Sequence, residues 1–100
     1  MMSKAAEILK PYRVRIDAID DKIVDLLVER FGIVRDVAVV KAEHKIATVL
    51  EDRLKEVIDR VADRAGADNE DLICEVYSLI LAVACDLEDE IVTGEKKFAD

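Results

Sequence analysis

The sequence predicts an all-α fold with three helices per chain, one long and two shorter. Apolar residues make up 52% of the 100 residues and charged residues 38%. The apolar residues recur at spacings of three and four, which is the period of an amphipathic helix. The chain contains only three glycines and one proline, so few residues interrupt helical structure. Together these observations favour a mostly helical, ordered chain.

The first helix is predicted to begin near Ala5 or at Pro11 and to end near His44. Proline is tolerated in the first turn of a helix, so both starts fit. The stripe that faces a partner helix alternates steps of three and four and contains Ile16, Ile19, Ile23, Leu26, Arg30, Ile33, Val37 and Val40. This spacing is typical of a helix that packs along a coiled-coil-like seam.

The length of this helix predicts a second chain. Counted from Pro11, the helix extends about 50 Å at 1.5 Å per residue. A compact chain of this size has a radius of gyration of about 13 Å. Much of the apolar stripe would then lie in water in a single chain. We therefore expect an intertwined homodimer of six helices, in which the long helices pack together.

Short polar and glycine signals delimit the second and third helices. Thr48 and Glu51 have the spacing of a capping box, Gly66 is a suitable stop, Asp68 can cap the third helix, and Gly94 can end it. The apolar face of the second helix contains Leu50, Leu54, Val57, Ile58, Val61 and Ala65, and that of the third contains Leu72, Ile73, Val76, Tyr77, Ile80, Val83, Ala84, Leu87 and Ile91. We interpret residues 1–100 as one domain with a core of about residues 8–92 and a frayed tail at 93–100.

The bulk charge limits the classes of partner. A net charge of −8 argues against nucleic acid or an anionic membrane surface, since both require a basic face. No apolar stretch is long enough to cross a bilayer and no secretory signal is recognisable, so a cytoplasmic location is expected. Cys74 and Cys85 share a helix face but lie too far apart along it for a disulfide, which predicts two buried thiols.

Four charged residues lie on the predicted apolar faces, namely Arg30, Lys41, Arg53 and Glu88. A buried charge without a partner is costly, so these residues either pair with one another or surround a ligand. Three cations to one carboxylate leave positive charge that a small dianion could neutralise. Alternatively, the cations extend their charged heads into water, and Glu88 belongs to a solvated acidic run. The sequence contains no metal-ligand cluster or phosphate-binding loop, so neither metal nor cofactor is expected.

The segment YRVRIDAIDDKIVDLLVER, at residues 12–30, resembles the opening signature of the all-α, intertwined dimeric chorismate mutases. The lysine of VVKAEH also has the family's spacing, and the resemblance covers about residues 8–92. It implies a cofactor-independent isomerase that converts chorismate to prephenate in aromatic amino acid or related secondary-metabolite biosynthesis.

The resemblance implies a role for each matching residue. Arg13 matches an arginine that crosses the dimer interface into the partner's active site. Arg30 matches one that binds a substrate carboxylate. Lys41 matches a lysine that donates to the ether oxygen and a carboxylate. Arg53 matches the arginine of the family motif Asp-x-x-Arg-Glu, and Glu88 matches a Gln or Glu that contacts the ether oxygen from the other side.

Three positions depart from the family pattern. Leu50 and Leu54 replace the Asp and Glu of the second-helix motif, and Ala84 replaces a serine. The family's Glu accepts a hydrogen bond from the ring hydroxyl, so recognition of the ring C4 substituent is expected to differ. Similarly apolar second helices occur in isochorismate-pyruvate lyases and 4-amino-4-deoxychorismate mutases, which are alternatives, as is a non-catalytic dimerisation or metabolite-sensing module. The predicted substrate-binding set is Arg13, Arg30, Lys41, Arg53, Leu54, Ala84 and Glu88, with Arg30, Lys41 and Glu88 catalytic.

Overall fold

Three α-helices account for most of the chain. The computed structural model describes residues 3–98. These form α1 (Lys4–His44), α2 (Glu51–Ala65) and α3 (Glu70–Thr93), with no strand in the described range. The all-α fold with one long and two shorter helices is confirmed.

Helix α1 extends beyond both ends of its apolar stripe, which runs from Ile16 to Val40. It contains 41 residues, which corresponds to about 60 Å of rise. Its start lies near the earlier of the two predicted positions, because Ser3 Oγ accepts a hydrogen bond from Ala6 N at 3.1 Å and so caps the first turn. Pro11 lies inside the helix. The helix ends where Lys45 adopts a left-handed φ of 56° and Ile46 N donates to Lys41 O at 2.8 Å.

The chain divides into two compact units at the step from Gly32 to Ile33. The first unit is the N-terminal part of α1. Its stripe residues are exposed in the single chain, namely Ile16, Ile19, Ile23 and Leu26. Contiguous exposed apolar surface of this kind usually marks a contact surface.

The second unit has its core between α2 and α3. Val57, Val61 and Leu81 are buried there, and the half-buried side chains of Leu54, Ile58, Ile73 and Tyr77 pack against them. The part of α1 in this unit contributes Ala38, which is fully buried. The neighbouring stripe residues Val37 and Val40 remain 42% and 49% exposed, so the covered face of α1 in the single chain is the one that carries Ala38.

The predicted helix caps were only partly correct. Gly66 and Gly94 are the C-caps of α2 and α3, with φ of 86° and 78°, values that glycine adopts without steric cost. The capping box from Thr48 to Glu51 was wrong. The N-cap of α2 is Leu50, without a side-chain hydrogen bond, and the Thr48 hydroxyl donates to Asp89 instead.

The start of α3 and the tail also differ in detail from the prediction. The N-cap of α3 is Asn69 rather than Asp68. As at the start of α2, the side chain of the N-cap residue makes no capping hydrogen bond. Within the predicted tail, Thr93 is the last residue of α3, and residues 99 and 100 lie outside the described residues. Among residues 3–98, none of the helices is both long and apolar enough to span a membrane.

Candidate functional site

Lys41 and Glu88 form an ion pair in the second unit. Lys41 Nζ lies 2.7 Å from Glu88 Oε1, and the two side chains are only 12% and 9% exposed. Lys41 follows the buried Ala38 on α1 by one turn, and Glu88 follows the buried Ala84 on α3 by one turn. Both charges therefore lie on helix faces that are covered in the single chain.

The Lys41 ammonium has a second partner in the connector between α1 and α2. Its Nζ donates to the main-chain oxygen of Thr48 at 2.9 Å. A lysine ammonium carries three N–H donors. Within residues 3–98, Thr48 O accepts a hydrogen bond from Nζ, whereas Glu88 Oε1 is its ion-pair partner and has no hydrogen bond, so donors of the ammonium remain for a ligand.

Lys41 also lines an apolar pocket of about 330 Å³. The other residues of its wall are Ile33, Asp36, Val37, Val40, Ile46 and Leu50. Because the Lys41 side chain is largely buried, its ammonium interacts more strongly with an anion than a fully exposed ammonium would. The pocket thus joins a positive point charge to an apolar wall.

Leu54 and Ala84 lie on an apolar part of the second unit. Leu54 is half-buried and lines a groove with Ile58, Ser78, Leu81, Ala82 and Cys85. Ala84 is buried. Leu54 and Ala84 therefore offer only apolar contact.

The pKa of the Cys85 thiol in this groove depends on burial and on the neighbouring charges. Burial raises the pKa of its thiol, and the carboxylate of Glu88 raises it further, while the Lys41 charge lowers it. Asp89 and Asp86 add smaller effects that also raise the pKa. Cys85 and Cys74 are both half-buried free thiols.

Arg53 is placed differently from Lys41. Its side chain is 59% exposed and pairs with Glu56, one turn along α2. Together with Leu50, Glu51 and Asp52 these two residues line a second pocket. An exposed pair of this kind contributes little stability, so the guanidinium can exchange Glu56 for another anion at low cost.

Arg13 and Arg30 belong to the first unit. Arg13 is exposed and Arg30 is half-buried. Arg30 Nη1 is buried without a hydrogen-bond partner among the described residues. Because buried donors are nearly always paired in folded proteins, this atom has the property expected of a ligand-binding group.

Two residues of the Lys41 environment were missed from the sequence. Thr48 was assigned to helix capping, and Asp89 was part of an acidic run. The structure joins them by a side-chain hydrogen bond across 41 positions of the chain. No local spacing could have predicted this contact, because it depends on how the connector packs on α3.

Comparison with known proteins identifies the family. The sequence model of the family described as chorismate mutase type II matches residues 12–89. Comparisons with curated proteins and with solved structures gave no match. The matched range includes every candidate residue from Arg13 to Glu88. The chain therefore belongs to the chorismate mutase type II family, the all-α class of these proteins.

Proposed function

We propose that this protein is a chorismate mutase, an isomerase that converts chorismate to prephenate. The observation that carries the proposal is the Lys41 ammonium. Its side chain is largely buried, and it lies between Glu88 and Thr48 with donors still available. In a chain of this family, such a donor supplies the chemistry that the reaction requires, and this supports the proposal.

The chemistry needs few protein groups. In the rearrangement a C–O bond breaks while a C–C bond forms within one molecule, and negative charge grows on the ether oxygen. No proton transfer or covalent intermediate is required. The protein accelerates the reaction by holding the flexible dianion in its compact reactive conformer and by aiming fixed donors at the ether oxygen.

The cations supply the binding part of this mechanism. Arg30 takes one substrate carboxylate, for which a guanidinium offers two parallel donors. Its buried, unpartnered Nη1 supports this role. Arg53 exchanges Glu56 for the substrate, and Arg13 is contributed by the second chain of a homodimer, as the family resemblance implies.

Lys41 and Glu88 supply the catalytic part. Lys41 donates a remaining N–H to the ether oxygen as charge develops there. An ionised Glu88 would repel that charge, so Glu88 acts as a hydrogen-bond donor only when its carboxyl group carries a proton. Since Oε1 faces Lys41 in the structure, Oε2 is the oxygen that we assign to this donation.

The apolar side chains of Leu54 and Ala84 favour a second candidate on the same scaffold. By the resemblance, Leu54 faces the ring C4 substituent. A C4 hydroxyl would lose its hydrogen bonds to water there without replacement, which costs free energy. Isochorismate carries no hydroxyl at that carbon, so isochorismate-pyruvate lyase activity is the second candidate, with 4-amino-4-deoxychorismate mutase as a third.

The test is consumption of each substrate by the purified protein. Chorismate, isochorismate and 4-amino-4-deoxychorismate are supplied separately, their absorbance is followed, and the products are identified by mass spectrometry. We expect prephenate from chorismate. Salicylate with pyruvate, or the amino analogue of prephenate, would instead support the other candidates.

A matched pair of lysine variants makes the result specific to this site. Lys41→Ala should abolish most of the activity, whereas Lys55→Ala should not change it, because Lys55 is exposed and pairs with Asp59. If wild-type protein consumes none of the three substrates, the enzymatic proposals fail. Calorimetric binding of chorismate without turnover would then favour a metabolite-sensing module.

A further inference from the structure

Three contacts connect α1, the connector and α3 around the Lys41 ammonium. Lys41 Nζ pairs with Glu88 Oε1 at 2.7 Å and donates to Thr48 O at 2.9 Å. The Thr48 hydroxyl in turn donates to Asp89 Oδ1. Because Glu88 and Asp89 are adjacent in the chain, the contacts close a ring that begins and ends at the ammonium.

We propose that Thr48 is a positioning residue for Lys41. Its hydroxyl, bound to Asp89, fixes its own main-chain oxygen against the Lys41 ammonium and so aims a remaining N–H at the substrate. The inference rests on the proposed function of Lys41 as the donor to the ether oxygen.

The burial pattern of the connector supports this role. Among connector residues 45–50, Thr48 is half-buried and the other five are exposed. The α2 N-cap has no side-chain hydrogen bond, so the Thr48 hydroxyl is not used in capping. The Thr48–Asp89 bond is the side-chain hydrogen bond that attaches this connector to α3 among the described residues.

The chemistry of lysine explains why a second anchor matters. The side chain is long and flexible, and its ammonium is a point charge with three rotatable donors. The ion pair with Glu88 attracts the ammonium but fixes none of its N–H groups, since Glu88 Oε1 has no hydrogen bond. The Thr48 oxygen accepts from one donor and thereby restricts the directions of the other two. Small misplacements of a reacting group can cost up to about 10²-fold in rate.

The first test compares Thr48→Val, which removes the hydroxyl at nearly constant volume, with Thr48→Ser, which keeps it. We expect Thr48→Val to lower kcat about 10-fold with little change in KM, because the misaligned donor acts mainly in the transition state. Thr48→Ser should restore most of the rate. Equal kcat for Thr48→Val and wild type, or a Thr48→Ser variant as slow as Thr48→Val, would overturn the proposal.

Thr93→Val is the matched control. Thr93 Oγ1 also contacts Asp89, but it donates to the main-chain oxygen of that residue, at 2.7 Å, and lies on the exposed end of α3. This variant should keep wild-type kcat. Circular dichroism of each variant establishes that it is folded, and a loss of rate in Thr93→Val equal to that in Thr48→Val would contradict the specific role of Thr48.

A second measurement does not depend on turnover. In a Cys74→Ser background, the thiolate absorbance of Cys85 gives the pKa of that thiol. The Lys41 charge lowers this pKa, whereas Glu88, Asp89 and Asp86 raise it. If Thr48 holds Lys41 in place, Thr48→Val should raise the pKa of Cys85 and Thr93→Val should leave it unchanged.

The two measurements separate failure of this inference from failure of the proposed function. If wild type consumes no substrate, the proposed function fails, and the Cys85 titration alone decides whether Thr48 holds Lys41. If wild type is active but Thr48→Val changes neither kcat nor the pKa of Cys85, the positioning role is wrong and the proposed function stands.

Discussion

At the residue scale, the Lys41–Glu88 pair is costly as a purely structural feature. Both side chains are largely buried, and the desolvation of two charges often outweighs their attraction. Replacement of such pairs by apolar residues is frequently neutral or stabilising. The pair is therefore weak evidence for a stabilising role, and Lys41 also lines an apolar pocket, which is in line with the proposed function.

Removal of the Lys41 charge should slow the reaction strongly. We expect Lys41→Ala to lower kcat by about 10²–10³, comparable to the loss of one preorganised oxyanion donor. The measurement is steady-state turnover of chorismate. Because this change also leaves Glu88 without its partner, the Lys41→Ala/Glu88→Gln double variant serves as a control for folding. A rate close to wild type in Lys41→Ala would exclude Lys41 from the chemistry.

The proposed donation by Glu88 can be tested by substitution. Glutamine offers an N–H to the ether oxygen and carries no negative charge, so Glu88→Gln should keep or raise kcat. Glu88→Ala offers no donor and should lower kcat by about 10²-fold. Glu75→Gln, a change at an exposed carboxylate on α3, is the control and should keep the wild-type kcat. Equal kcat for Glu88→Gln and Glu88→Ala would contradict donation by residue 88.

The candidate residues differ in how far the sequence could predict them. Lys41 and Glu88 were identifiable because each lies where helical periodicity requires an apolar side chain. Arg53 satisfied the same rule, yet its side chain is exposed beside Glu56, since a residue at the edge of an apolar face can turn toward a local partner. Thr48 and Asp89 carried no periodic signal, and their contact depends on tertiary packing.

At the scale of the helices, periodicity and glycine were the reliable signals. The three helices were predicted from their periodicity. Both glycine C-caps were predicted because few residues other than glycine adopt a left-handed backbone. The N-caps were not predicted correctly. A threonine or aspartate oxygen can bond to the following backbone or to another helix with similar energy, and Thr48 bonds to Asp89.

The packing of α2 on α3 should account for much of the stability of the second unit. Val57 is 4% exposed in its core. Loss of two buried methyl groups and the resulting cavity should lower the free energy of unfolding by about 2 kcal/mol in Val57→Ala. Chemical denaturation at a fixed protomer concentration measures the change.

Val28 provides the control for this prediction, because its side chain is exposed in the single chain and lies off the α1 stripe. Val28→Ala should change the free energy of unfolding by less than about 0.5 kcal/mol. Equal effects of the two substitutions would mean that Val57 is not part of a packed core.

At the scale of the whole molecule, the exposed stripe of the first unit supports the proposal of a homodimer. A single chain leaves Ile16, Ile19, Ile23 and Leu26 in contact with water. Burying apolar surface contributes roughly 25 cal/mol per Å², and a second copy of the same stripe offers complementary spacing. Sedimentation equilibrium should therefore give twice the 11.2 kDa mass of the chain.

Mixed dimers test whether Arg13 acts in the active site of the partner chain. Arg13→Ala and Arg30→Ala chains should each be nearly inactive alone. If each site takes Arg13 from one chain and Arg30 from the other, the mixed dimer contains one intact site. Random assembly of an equal mixture should then recover about a quarter of the wild-type rate, since half of the dimers are mixed and each has one of two sites intact. The measurement is chorismate turnover after joint refolding.

The matched control mixes wild-type chains with Arg13→Ala/Arg30→Ala double-variant chains. If each site is shared between chains, both sites of this mixed dimer are incomplete. Only the wild-type dimers, a quarter of the total, are then active, so the activity should again be about a quarter of the wild-type rate. Sites built within one chain predict a different pair of results, with no recovery in the first mixture and about half of the wild-type rate in the second. That pair of results would contradict the contribution of Arg13 across the interface, even if the protein is a dimer by mass.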